Sequence, residues 1–406
     1  MGRSIGGISL SKWLAVIIAV AVVVPGVILR FLHLEGAAPL QALIYGIAIV
    51  GAAFLLSWAA EVLQMDVSQG LALALLALIA ILPEYVVDAT FAWLAAREPS
   101  YASYAVANMT GANRLLIGVA WPLVVLLVWL RSRRKSVSLE PSHGVEIITL
   151  LVATAIAFII PLNSSIGLID MAILIAIFGV YMWQLTRMPA EHPELVGPAA
   201  MIGSLPKARR RLITGVLGVI AAIGILLVAE PFAHSLVETG ALLGIDEFLL
   251  VQWLAPLASE APEFVVVSIF AWRGAAAAAL GALVSSKVNQ WTLLIAMLPL
   301  IYSVSAGRPD SLPLDHRQVE EILLTAAQSL LAIILLLDLT LSLIGAGALF
   351  ILFAVQLVYP DIHMEMVFVY ILCSLVALLV GRKHLTKAFS GLKAAVTDPK
   401  QFSEHT

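Results

Sequence analysis

Leu82-Pro83-Glu84-Tyr85 and Ala261-Pro262-Glu263-Phe264 are the two stretches on which the reading of this chain turns. Each lies inside an apolar segment long enough to cross a bilayer. Each therefore puts a carboxylate where charge is costly and a proline where a helix is expected to break, because proline has no amide to offer the carbonyl four residues back. Charge retained at that cost marks an ion pathway.

The composition agrees. Of 406 residues, 61% are hydrophobic and 12% charged, with a mean hydropathy of +1.02. Soluble domains carry about a quarter charged residues, so this is an all-α integral membrane protein. At about 20 apolar residues per crossing, spans fall near 13–33, 39–64, 69–95, 101–131, 146–162 and 166–187, then near 212–242, 247–273, 275–305, 319–338, 340–359 and 364–381. That is about 12 transmembrane helices, with a polar linker at 188–211 and a tail at 382–406.

Three basic clusters set the orientation: Arg131 to Lys135, Lys207 to Arg211, and Arg382 to Lys387. With twelve spans all three lie on the side of the N-terminus, which the positive-inside rule assigns to the cytoplasm. Both termini are expected to be cytoplasmic and the membrane to be the plasma membrane. Trp93, Trp121, Trp183 and Trp272 sit near span ends and read as interfacial anchors. Glu230 reads as lying near an access path or an interface, and Asp170 as solvated at a span end.

The single cysteine, Cys373, excludes an internal disulfide, and no P-loop is present. The eight histidines are scattered, without metal-ligand spacing. Neither enzyme chemistry nor an ATP-driven pump is expected, and no cofactor. The expected partners are membrane lipid and small cations, with no nucleic acid.

A shift of 179 residues carries Pro83-Glu84 onto Pro262-Glu263, Val86-Val87 onto Val265-Val266, and Phe91-Ala92-Trp93 onto Phe270-Ala271-Trp272 without a gap. The two halves are therefore related copies. The first Pro-Glu falls in the third span and the second in the eighth. An offset of five spans inverts one copy relative to the other, the architecture of many secondary transporters. The core is then two five-helix repeats, 39–187 and 212–359, with one extra helix at each end, 1–38 and 360–381.

Here the chain resembles the cation/calcium exchanger superfamily, whose repeats each carry a Gly-Thr-Ser-Leu-Pro-Glu type motif and then a Gly-Asn-x-x-Gly-Ser-Asn type motif. The first repeat reads Leu82-Pro83-Glu84, then Ala107-Asn108-Met109-Thr110-Gly111-Ala112-Asn113. The second reads Ala258-Ser259-Glu260-Ala261-Pro262-Glu263, then Ser285-Ser286-Lys287-Val288-Asn289-Gln290. The resemblance implies the sodium/calcium exchanger fold, with Glu84 and Glu263 as paired carboxylates of a central cation site and Asn108 as an amide ligand beside them. Two departures stand out: Ala80-Ile81 replaces the Thr-Ser before the first Pro-Glu, and the gapless shift carries Asn108 onto Lys287.

A lysine ammonium donates three hydrogen bonds and accepts none, so while protonated it cannot ligate a cation. With Glu84 and Glu263 it makes a site of net charge −1, matched to one sodium ion or one proton. Calcium prefers six to eight oxygens and more negative charge. Asp88, one turn after Glu84, and Glu260, one turn before Glu263, would deepen the charge to −3, and Ser259 could add a hydroxyl. The favoured expectation is sodium/proton antiport by alternating access, with Lys287, Glu84 or Glu263 releasing the proton. The alternatives are calcium exchange against sodium or protons and, in other classes, a passive channel or a non-transporting scaffold. Lys287 has its own alternative, a fixed salt bridge that locks the repeats together.

Overall fold

The computed structural model of the protein describes residues 5–32, 36–66, 82–187 and 195–397, with side chains described between 13 and 381 within those ranges. In chain order its helices are α1 (Ile5–Leu32), α2 (Ala38–Leu63), α3 (Leu82–Ala95), α4 (Tyr101–Leu115), α5 (Trp121–Ser132), α6 (Gly144–Ile159), α7 (Leu168–Leu185) and α8 (Gly197–Gly203). They continue as α9 (Lys207–Leu243), α10 (Glu247–Arg273), α11 (Ala276–Asn289), α12 (Ile295–Ala306), α13 (His316–Leu335), α14 (Leu343–Val358) and α15 (His363–Thr397).

Among the described residues ten helical stretches are long and apolar enough to cross a membrane, and α14 is a shorter apolar helix. The third expected span is described only from Leu82 onward, as α3; its earlier part lies outside the described residues. Ile169, Ile344 and Val380 are 78%, 86% and 79% exposed. In water such side chains would be an aggregation liability, and here they face lipid.

Two expectations need correction. No helix break occurs at Pro262, because α10 runs continuously through Pro256 and Pro262. Membrane helices tolerate internal prolines, although each still withdraws one amide from the ladder. Trp121 is no interfacial anchor; it is fully buried at the start of α5. Within this all-α fold two short strand pairs tie connections together: β1 (Ser136–Ser138) pairs antiparallel with β4 (Thr340–Ser342), and β2 (Ser165–Ile166) with β3 (Leu312–Pro313). Strands this short leave no alternating pattern in the sequence. In addition, α9 begins at Lys207, inside the stretch read as linker.

The chain forms two compact units. The first comprises residues 1–91 and 190–263, and its described core packs Val16 and Val23 of α1, Leu55 and Val62 of α2, Ile202 of α8 and Ile225 of α9. Glu230 is an ion-pair partner of Arg30 at 2.7 Å, and both side chains are nearly half exposed, so the pair contributes little.

Asp66, just after α2, is gripped by Arg210 through two bonds of 2.8 and 2.9 Å and by Arg211 at 3.2 Å. The Arg210 hydrogen bonds, with the charges of both guanidiniums, hold its carboxyl down at about 2. A depressed carboxyl stabilises the fold fully above its unfolded value of about 4 and loses that contribution as pH falls toward 2. Asp66→Asn is expected to abolish whatever part of acid unfolding between about pH 4 and 2 comes from this tie. Intrinsic tryptophan fluorescence of both proteins in detergent across that window checks it; superimposable acid transitions would refute it.

The second unit comprises residues 92–189 and 264–406. A π turn, Leu116–Ala120, joins α4 to α5, and another, Gln290–Leu294, joins α11 to α12. Such one-turn π insertions inside helices often occur at functional sites. In the first, a Cβ on Gly118 would fall on the Phe353 ring of α14. Gly118→Ala is therefore expected to destabilise the protein by about 1–3 kcal/mol through overpacking. Thermal unfolding in detergent measures it, and Phe353→Leu in the same chain should recover part of the loss.

Candidate cation site

In the first unit α3 carries Glu84, 2% exposed, and Asp88, fully buried, one turn apart. On α10 Ser259 and Glu260 are buried at 6% and 4%, and Glu263 is half-buried. The spacing Glu260 to Glu263 puts both carboxylates on one face of a continuous helix, and Glu84 to Asp88 does the same on α3. The Ser259 hydroxyl donates to the carbonyls of Ala255 and Pro256, both at 3.2 Å, which leaves its oxygen lone pairs able to accept or ligate. Pro256 and Pro262 remove the amides that Gln252 and Ala258 carbonyls would ordinarily meet, enriching α10 in oxygen acceptors just before Glu263.

In the second unit Asn108 and Lys287 are fully buried on α4 and α11. Lys287 Nζ donates to Asn113 Oδ1 at 2.6 Å and lies 4.2 Å from the centre of the Trp291 ring. The amide oxygen and the ring face both stabilise an ammonium. Asn113 in turn donates from Nδ2 to the Met109 carbonyl at 2.8 Å, so its oxygen is aimed rather than free to rotate.

This geometry revises the internal register. The π turns at Leu116–Ala120 and Gln290–Leu294, and α5 and α12 after them, coincide at a shift of 174 residues rather than 179. Three of the five residues of this slip arise in the connection after the Pro-Glu helices, and the helix bounds on either side account for the other two. In the first repeat that connection is residues 96–100; in the second it is 274–275, where Gly274 turns the chain at φ +103. The left-handed backbone available to glycine closes in two residues what otherwise takes five. At the structural register Lys287 matches Asn113, not Asn108, and Asn108 matches Ala282. The two matched residues are the two that touch.

A second polar cluster in this unit was not legible in the sequence. Arg114, next to Asn113, forms a fully buried ion pair with Glu321 of α13. Glu321 Oε1 also lies 3.1 Å from His363 Nδ1 on α15, and Gln328 Nε2 donates to the Arg114 carbonyl at 3.3 Å. Arg114 lies 207 residues from Glu321 and 214 from Gln328, and no local spacing announces the cluster. Glu146 of α6, likewise buried, accepts from Tyr181 and Ser285, both at 3.3 Å. Asp170, read as solvated, caps α7 by accepting from the Gly167 amide at 2.7 Å.

Residues 37–187 and 214–360 match the family model of the sodium/calcium exchanger protein. Among solved structures, the H+/Ca2+ exchanger CAX is 43% identical over 96% of this chain and 99% of its own, with a TM-score of 0.90. The native YfkE structure, at 15% identity over 84% of this chain and 98% of its own, has a TM-score of 0.61. The sodium-calcium exchanger NCX_Mj, at 17% over 79% of this chain and 98% of its own, has a TM-score of 0.53. The last two share the fold alone. Among curated proteins none matches the chain. With the repeated Pro-Glu helices, their carboxylates and the matched π turns, the chain is an integral membrane protein that belongs to the sodium/calcium exchanger family, within the cation/calcium exchanger superfamily.

Proposed function

We propose that the protein is a secondary-active antiporter that exchanges a cation for protons by alternating access, with Glu84 and Glu263 as its principal ion-binding carboxylates. The carrying observation is the burial of Glu84, Asp88 and Glu260 on the two Pro-Glu helices, with Glu263 half-buried beside them. A carboxylate buried in a membrane-spanning helix is costly without a counter-charge, and a cation or a proton can each supply it. Cation entry and proton release are then two sides of one competition.

Calcium is the first cation in this reading. Its support is the 43% identical relative whose structure is that of an H+/Ca2+ exchanger, and a donor set rich enough in oxygen for a divalent ion. Sodium is the second, favoured by Lys287, whose ammonium subtracts one charge from any site it shares. The contacts of Lys287 with Asn113 and Trp291 support a tethered cation that occupies the place of a ligand. The localisation proposed with this function is the plasma membrane, with both termini cytoplasmic.

The test is flux into proteoliposomes loaded with a pH indicator. Internal alkalinisation on external calcium, saturable and abolished by collapsing the pH gradient, supports calcium/proton exchange. The same response to sodium and not to calcium supports the second reading. Cation entry that neither saturates nor moves protons overturns antiport. Lys287→Asn is expected to shift the pH at which half-maximal exchange occurs; an unchanged profile would make the lysine a fixed structural tie.

A further inference from the structure

Between α2 and α9 of the first unit lies an apolar groove of about 560 Å³. Leu56, Ala59 and Ala60 line it from one side, and Thr214, Gly218 and Ala222 from the other. It exists because the facing side chains are small. A Cβ on Gly215, another lining residue, would meet nothing within 4 Å, and one on Gly218 only the Ala59 Cβ at 3.9 Å. The neighbouring Val219 is 58% exposed, so the groove opens on the lipid-facing side of α9.

The chemistry changes along the groove. At the end where α9 begins it is bounded by Asp66 and Arg211. Asp66 is already satisfied by two bonds from Arg210, and Arg211 reaches it with a side chain that is still 53% exposed. One carboxylate therefore faces two guanidiniums, and Lys207 and Arg209 lie exposed in the turn before. The mouth carries excess positive charge.

Three residues further along α9 is Thr214, 7% exposed, whose hydroxyl has no hydrogen-bond partner. That is unlike the helical threonines Thr90, Thr110, Thr149, Thr239, Thr292 and Thr325, each of which donates to the carbonyl four residues back. A buried hydroxyl left open in this way is costly unless something polar enters the groove. Beyond it the lining is apolar to Ala222. From Arg211 to Ala222 the helix rises roughly 16 Å.

Cation, hydrogen-bond donor and apolar slot in that order match phosphate, glycerol ester and acyl chain. We propose that this groove binds one anionic glycerophospholipid, its phosphate on Arg211, its ester carbonyl on the Thr214 hydroxyl and its acyl chain over Gly215, Gly218 and Ala222. The basic mouth lies at the end of α9 that the positive-inside rule assigns to the cytoplasmic leaflet, where anionic lipids concentrate. The lipid also joins α2 to α9 beside the Asp66 tie.

Native mass spectrometry of the full chain in detergent, incubated with phosphatidylglycerol, phosphatidylcholine or inorganic phosphate, tests this. One phosphatidylglycerol per chain is expected to be retained, about fivefold more strongly than phosphatidylcholine. Arg211→Gln should remove that preference, and Gly218→Leu should reduce retention of both lipids by filling the slot. Should Gly218→Leu fail to fold, Gly215→Val fills the same groove at a position open enough to accept it, and Thr214→Val removes the hydroxyl at constant shape. Equal retention of the two lipids by the unaltered protein overturns the proposal. So does phosphatidylglycerol retention indifferent to Arg211→Gln and to the groove-filling variants, or retention of inorganic phosphate in place of lipid.

Discussion

Glu84→Gln and Glu263→Gln, made singly, are expected to lower exchange at sub-saturating cation by a hundredfold or more. Glutamine has the shape of a protonated glutamic acid, so each variant removes the charge and the proton release while leaving packing in place. Removing one member of a buried charge interaction costs about 3 kcal/mol or more, which is a factor of at least about a hundred in binding. The measurement is initial flux in proteoliposomes at matched protein density, with thermal unfolding as the control for folding. Aspartate at either position keeps the charge and shortens the reach, and should retain measurable exchange. Persistence of more than a tenth of the flux in both glutamine variants would remove these residues from the ion-binding role. Because Glu84 is 2% exposed and Glu263 half-buried, the Glu84 variant is expected to have the larger effect.

Glu321→Gln is expected to be the most destabilising single change outside that site. Glu321 is fully buried and accepts the Arg114 guanidinium on one oxygen, while its other oxygen faces His363 Nδ1. The substitution leaves the Arg114 charge buried without its counter-ion, which costs about 3–5 kcal/mol. The loss should spread, since the same contacts tie α4, α13 and α15 together and Gln356 Nε2 continues the chain to Gln328 Oε1 at 3.1 Å. Replacing both partners, Arg114→Met with Glu321→Leu, removes the stranded charge and should recover much of the stability. Thermal unfolding in detergent of the single and double variants decides this. A double variant no more stable than the single would show that hydrogen-bond geometry, not the uncompensated charge, carries the loss.

Much of the fold was legible in the chain because the bilayer imposes it. Apolar runs of about 20 residues must become helices when no water can satisfy the backbone, and α2, α6 and α9 follow directly from that. The Pro-Glu motifs were equally readable. A carboxylate in an apolar run is conspicuous whatever surrounds it, and Glu84 and Glu260 are buried as their sequence context demanded. The four short strands were hidden, since two or three residues carry no periodicity. The helix through Pro262 was misread because propensity speaks for an isolated helix, whereas packing decides a buried one.

The carboxylates of the candidate site, the repeat and the membrane class were thus determined by the sequence alone. Each rests on a cost, charge in hydrocarbon or unsatisfied backbone, that is incurred locally and needs no knowledge of partners. The place of Lys287 was decided only by the tertiary structure. Its register depends on how many residues a turn consumes, and its contact with Asn113 joins positions 174 residues apart. The Arg114–Glu321–His363 cluster and the open Thr214 hydroxyl belong to the same class. What a buried polar group meets is set by helices that approach from distant parts of the chain, and no local pattern records that meeting.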